Sequence, residues 1–235
     1  MSKNSVTAAL LVAAAVGMNL VFGVLGAVFD YPNVLAKPAA DQLTMFRHNE
    51  VAVVTCFALL ALTAALLIPI AIRVGALASS RAMRVAVVAG IAAAIVQVIG
   101  LARWPIVVPF LADRAAHGDT HAVSQFEMLG NVVGGWIGET LGYLLTATWT
   151  VLVVVALTQL PQWFRVTGVV SAGLIAVGAL VKFDVPGADI ANFLGYVVWS
   201  GWLIAFAVLL RNGRTVRPSV LAPEVAAMLT PSSFR

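Results

Sequence analysis

Six apolar runs, at about 6–29, 50–72, 84–110, 127–157, 166–183 and 191–210, constrain this chain more than any other feature. A helix of about 20 apolar residues spans the ~30 Å hydrocarbon core of a bilayer, and each run is of that order. Of 235 residues, 61% are hydrophobic and 10% charged. A soluble domain carries about 25% charged residues, so this chain could not cover a globule with polar surface. The expected fold is all-α: one polytopic bundle of six transmembrane helices over residues 1–210, followed by a basic tail over 211–235. The first run is too long for a signal peptide and lacks a small-residue cleavage site, so it is read as a retained span.

Six spans put both termini on one side. That side carries Lys3, Arg73, Arg81, Arg84, Arg165, Arg211, Arg214, Arg217 and Arg235. The other carries Lys37, Arg47, Arg103, Arg114 and Lys182. The positive-inside rule then places both termini in the cytoplasm. The basic residues sit at span ends rather than in an aromatic-interleaved cluster, so no nucleic-acid partner is expected. Eight acidic residues and all three histidines fall on the outer side, where the long segments 30–50 and 111–125 could form a cap. The inner connections are short and favour antiparallel neighbours. Within the tail, EVAAML is expected to form a short surface helix.

The fourth run contains GNVVGGWIGETLG, residues 130 to 142. At about 100° per residue, Gly130, Gly134, Gly138 and Gly142 share one face with Asn131 and, one turn earlier, Glu127. Small residues four apart let helix backbones approach closely, where dispersion replaces the hydrophobic drive that lipid cannot supply. This face is therefore expected to receive a helix partner, and the same lack of side chains can leave a groove for a ligand. Glu139 lies near mid-span, where a charged carboxylate costs at least ~2.5 kcal/mol. It must be protonated, paired or facing a water-filled cavity. Arg103, Lys182, Gln97 and Tyr143 are its candidate partners.

Arg103 and Trp104 precede Pro105 in the third run, and Pro109 follows, so that span should kink or end there. Arg103 could snorkel to the interface beside Trp104, or turn inward as a guanidinium for a carboxylate, either Glu139 or an anionic ligand. Lys182 closes the fifth run. The candidate pocket thus comprises Glu139, Arg103, Asn131, Trp104, Gln97 and Lys182. A second constellation, His48, His117, His121 and Glu127, lies at one outer level. Two histidines four apart on a helix, a third histidine and a carboxylate could hold zinc or another divalent metal. HGDTH has a loop's composition, however, and no cofactor is expected. Walker A, nucleophile-elbow, dinucleotide and Cys-x-x-Cys motifs are absent.

LPQWFRVTGVVSAGLIAVG, together with the six-span layout, resembles a bacterial family of multi-pass membrane proteins of unknown function. The resemblance rests on Leu160, Pro161, Trp163, Gly168 and Gly173, a short Leu-Pro-aromatic linker opening a glycine-containing span, and departs from the family at Arg165. It implies a fold and a place in the bacterial plasma membrane, among membrane lipids, and no activity. The expected function is binding or transport of a small molecule, hydrophobic, anionic or lipid-like, in an outward-facing polar pocket. The alternatives are a metal-dependent membrane enzyme acting on a hydrophobic substrate, and a structural subunit of a membrane complex.

Overall fold

The computed structural model describes residues 3–213; EVAAML and most of the basic tail lie outside the described residues. Ten α-helices follow in order among them: α1 (Lys3–Phe29), α2 (Ala39–His48), α3 (Glu50–Ala65), α4 (Leu67–Gly75), α5 (Arg81–Ile106), α6 (Val108–Ala116), α7 (Thr120–Leu129), α8 (Gly142–Ala156), α9 (Gln162–Val177) and α10 (Ala188–Arg211). A π-helix, Gly130–Leu141, joins α7 to α8, and 3-10 turns occupy Asn33–Ala36 and Gly178–Phe183. No strand occurs among the described residues. Six continuous segments are long and apolar enough to cross a membrane: Asn4–Phe29, Glu50–Gly75, Arg81–Ala116, Thr120–Ala156, Gln162–Phe183 and Ala188–Arg211. The fold is an all-α polytopic bundle.

Proline sets the breaks within spans. Pro69 cannot donate to the Ala65 carbonyl and its ring crowds that group, and the helix hesitates at Leu66 between α3 and α4. Pro105 and Pro109 do the same to the third span, which is interrupted at Val107 and then continues to Ala116. Ser80 starts α5 by accepting from the Met83 N–H at 3.2 Å. Asp119 starts α7 by accepting from the His121 and Ala122 N–H groups. Each cap satisfies donors that a helix start leaves orphaned.

Each span packs on its neighbours in sequence, and α10 returns to α1, so the six close into a ring. Two aromatic clusters fill it. Toward the end with the short connections, Trp149, Trp202, Phe164 and Phe206 are wholly buried, with Phe164 stacked on Trp202 at 4.8 Å between centroids. Toward the end with the long connections, Trp104 stacks on Phe57 at 4.6 Å and meets Phe29 and Phe126 edge-on. Helix α2 lies over this second cluster, contributes Leu43 and Phe46, and packs on α6 and α7. The long segments are therefore a folded cap. Polar side chains gather between the two clusters.

Candidate functional site

The glycine-rich segment is a π-helix of twelve residues rather than the α-helix that a 100° step assumes. Its hydrogen bonds skip a further residue, so the turn is wider and the side-chain register changes. Close packing of this face is nonetheless what the structure shows, and its neighbours belong to the same chain. A Cβ on Gly138 would stand 2.8 Å from the Gly100 Cα of α5. Gly142 faces the Gln97 side chain in the same way, at 2.8 Å from its Cγ. Gly134 and Gly135 make room for something else. A methyl group at Gly134 would fall on the Arg103 guanidinium, and one at Gly135 would collide with the Lys182 ammonium. Gly130 faces open space. Two glycines thus seat two cationic side chains, and two seat the third span.

Arg103 turns inward and is only 8% exposed. One of its terminal nitrogens donates to the Gly100 carbonyl, and the guanidinium lies over the Trp104 ring, 5.4 Å from its centroid. Its Nε is buried without a hydrogen-bond partner. Among the described residues, no carboxylate lies within 4 Å of Arg103 or of Lys182. Lys182 projects from the 3-10 turn after α9 and donates to Asn131 Oδ1 at 3.0 Å.

Glu139 is half-buried and faces the same space, within Coulombic range of both Arg103 and Lys182. No described residue donates a hydrogen bond to it in this structure. Three phenols, Tyr31, Tyr143 and Tyr196, also lie within its electrostatic reach. Tyr31, in the long connection after α1, is held above the usual phenol range by burial first and by the Glu139 charge second. It therefore remains a hydrogen-bond donor at ordinary pH.

Deeper in the ring several polar side chains are paired, although the buried Trp149 Nε1 has no partner. Gln97 Nε2 donates to Thr146 Oγ1 at 2.9 Å, Trp199 Nε1 donates to Thr150 Oγ1 at 2.9 Å, and Asn192 Nδ2 donates to the Ile175 carbonyl at 2.9 Å. Buried groups paired in this way are structural. Charge marks the site instead: Arg103 and Lys182 have no carboxylate within 4 Å, and the Glu139 carboxylate has no donor, among the described residues.

The family model for Domain of unknown function (DUF4386) matches residues 6–207, most of the chain. The chain belongs to the DUF4386 family. The resemblance read from the Leu-Pro-aromatic linker to a membrane family of unknown function agrees with that membership. No curated protein and no solved structure matches this DUF4386 chain.

Of the pocket residues named from sequence, the DUF4386 chain brings Glu139, Arg103, Asn131 and Lys182 together, with Gln97 one layer deeper against Gly142. Trp104 is buried in the aromatic cluster and touches the group through the Arg103 guanidinium over its ring. The histidine constellation is not assembled. His117 ends α6 and bonds the Asp113 carbonyl at 2.8 Å, Gly118 turns the chain, and His121 sits in α7, so the two are not one helix turn apart. His48 lines a different groove. Among the described residues, no three His, Cys, Asp or Glu side chains are grouped as metal ligands would be. Tyr31 and Gly100 were not anticipated. Gly100 had a signal, since it stands three residues before Arg103 as a small partner for the glycine series. Tyr31 had none. Two cavities, of about 750 and 460 Å³, lie beside α1, α2 and α3 and include neither Arg103 nor Glu139.

Proposed function

We propose that this protein binds a small amphipathic molecule carrying one anionic group, with the anion held between Arg103 and Lys182 and a donor on the ligand or a water facing Glu139. The observation behind this reading is the buried Arg103 guanidinium, which has an unpartnered Nε and no carboxylate within 4 Å. Burying a cation without a counter-charge costs several kcal/mol, so such a group is costly to retain for packing alone. Two cations and one carboxylate leave a formal charge of +1, which suits a monoanion. Guanidinium and ammonium donors form their strongest bonds to carboxylate or phosphate oxygens. The apolar walls around them, and the position among spans, suit a ligand with a hydrocarbon portion. Tyr31, in the long connection after α1, lies within electrostatic reach of Glu139, which supports access from the long-connection end, the side that the basic-residue count assigns to the outside.

Binding of octanoate, octyl phosphate, octanol and octylamine to protein in lipid nanodiscs tests the proposal, because the four share a chain and differ in charge. Octanoate or octyl phosphate should bind, and octanol and octylamine should bind at least about tenfold more weakly, the loss of one charge-assisted hydrogen bond. Arg103→Gln should erase the difference. Equal binding of all four, or anion preference unchanged in Arg103→Gln, would overturn it.

A further inference from the structure

The larger cavity is a groove between α1 and α3, away from the polar site, and nothing in the proposed function uses it. Its wall descends α1 through Val24 to Leu20 and α3 from Val51 through Thr55 to Leu59. Its rim, at the long-connection end, carries Arg47, His48 and Glu50. Val51, Thr55 and Leu59 are exposed side chains on one stripe of α3, so this surface faces whatever surrounds the bundle.

We infer that this groove binds one phospholipid with a phosphoethanolamine head group, its acyl chain lying along the apolar wall and its head group over Arg47, His48 and Glu50. Depth supports this occupant. From Glu50 to Leu59 the helix runs nine residues, about 14 Å, which is about half of a ~30 Å hydrocarbon core. The groove therefore spans one leaflet from its polar rim and stops near the midplane.

The rim charges also fit. Arg47 uses one terminal nitrogen on the Ala112 carbonyl and on Asp113, at 3.2 Å from its carboxylate. Its other terminal nitrogen and Nε remain for phosphate oxygens, beside the exposed His48 ring. Glu50 forms no ion pair among the described residues and can accept from an ammonium group. A cation and a carboxylate on one rim, not paired with each other, complement a head group that holds phosphate and a primary ammonium together. A quaternary ammonium cannot donate that hydrogen bond, and a glycerol head has no positive charge.

Native mass spectrometry of the full chain, released from micelles containing equal phosphatidylethanolamine, phosphatidylcholine and phosphatidylglycerol, tests the inference. One phosphatidylethanolamine per chain should be retained over the other two by about tenfold. Glu50→Gln should abolish that preference while leaving total lipid retained, and Thr55→Trp, which fills the groove from an exposed position, should reduce total retention. Equal retention of the three lipids by the parent protein would overturn the inference. So would a preference unchanged by Glu50→Gln, or retention unchanged by Thr55→Trp.

Discussion

Gly138→Ala adds one methyl group at the closest approach of two helices. The new Cβ would stand 2.8 Å from the Gly100 Cα and 3.3 Å from the Val133 carbonyl oxygen. Carbon atoms pack best at about 3.5–4.0 Å, so α5 and the π-helix must part by about 0.7 Å. Both obstructing groups are backbone, and no side-chain rotation relieves them. Overpacking of this kind costs about 1–3 kcal/mol. Gly100→Ala should cost as much, since its Cβ would stand 2.6 Å from the Gly138 Cα. The control is Gly130→Ala, in the same four-residue series, where a Cβ meets nothing within 4 Å. It should be neutral or stabilising, because alanine exceeds glycine in helix propensity by about 1 kcal/mol. Thermal unfolding in one detergent, with all three variants side by side, reads the result. If Gly138→Ala were as stable as Gly130→Ala, the glycine face would not be a packing surface and the reasoning would fail.

Arg103→Met should keep thermal stability within about 1 kcal/mol of the parent or raise it, as buried charges replaced by apolar residues often do, while octanoate binding disappears. Marked destabilisation without loss of binding would make Arg103 structural. Asp119 has its carboxyl held below the ordinary aspartate range, chiefly by the Arg114 hydrogen bond and then by the backbone N–H of Ala122. A depressed folded value means that its contribution is present above the unfolded pKa of about 3.9 and is lost as pH falls through the lower folded value. The stability difference between parent and Asp119→Asn should therefore shrink below pH 4, and a difference independent of pH would contradict this. Reporter fusions at the C-terminus should show cytoplasmic activity, and a periplasmic result would invert the assigned sidedness. Elemental analysis after chelator-free purification should find no stoichiometric divalent metal; zinc lost in His117→Ala and His121→Ala would restore the enzyme reading.

The span count was legible because hydrocarbon thickness and backbone hydrogen bonding leave few choices for runs of this length. The glycine series was legible as a packing surface, since four-residue spacing keeps small residues near one face. Its π-helical winding was not, because i→i+4 and i→i+5 ladders use the same residues and differ only in how neighbours are accommodated. The members of the site could be listed, as ionisable groups in apolar runs stand out. Their arrangement could not: whether Arg103 snorkels or turns inward depends on Gly134 in another span, and Lys182 depends likewise on Gly135 and Asn131. Tyr31 joins from a connecting segment that no periodicity governs. His117 and His121 show the reverse error, where a spacing suited to one helix falls across the turn at Gly118.

The central claim is that the charges between the glycine face and α9 are held apart for a ligand. A density map of the protein in lipid nanodiscs, recorded with saturating octanoate, tests this directly. The account predicts density for a carboxylate between the Arg103 guanidinium and the Lys182 ammonium, with Glu139 not bonded to either. A map in which Arg103 bonds Glu139 directly, with no density between the cations, would contradict it.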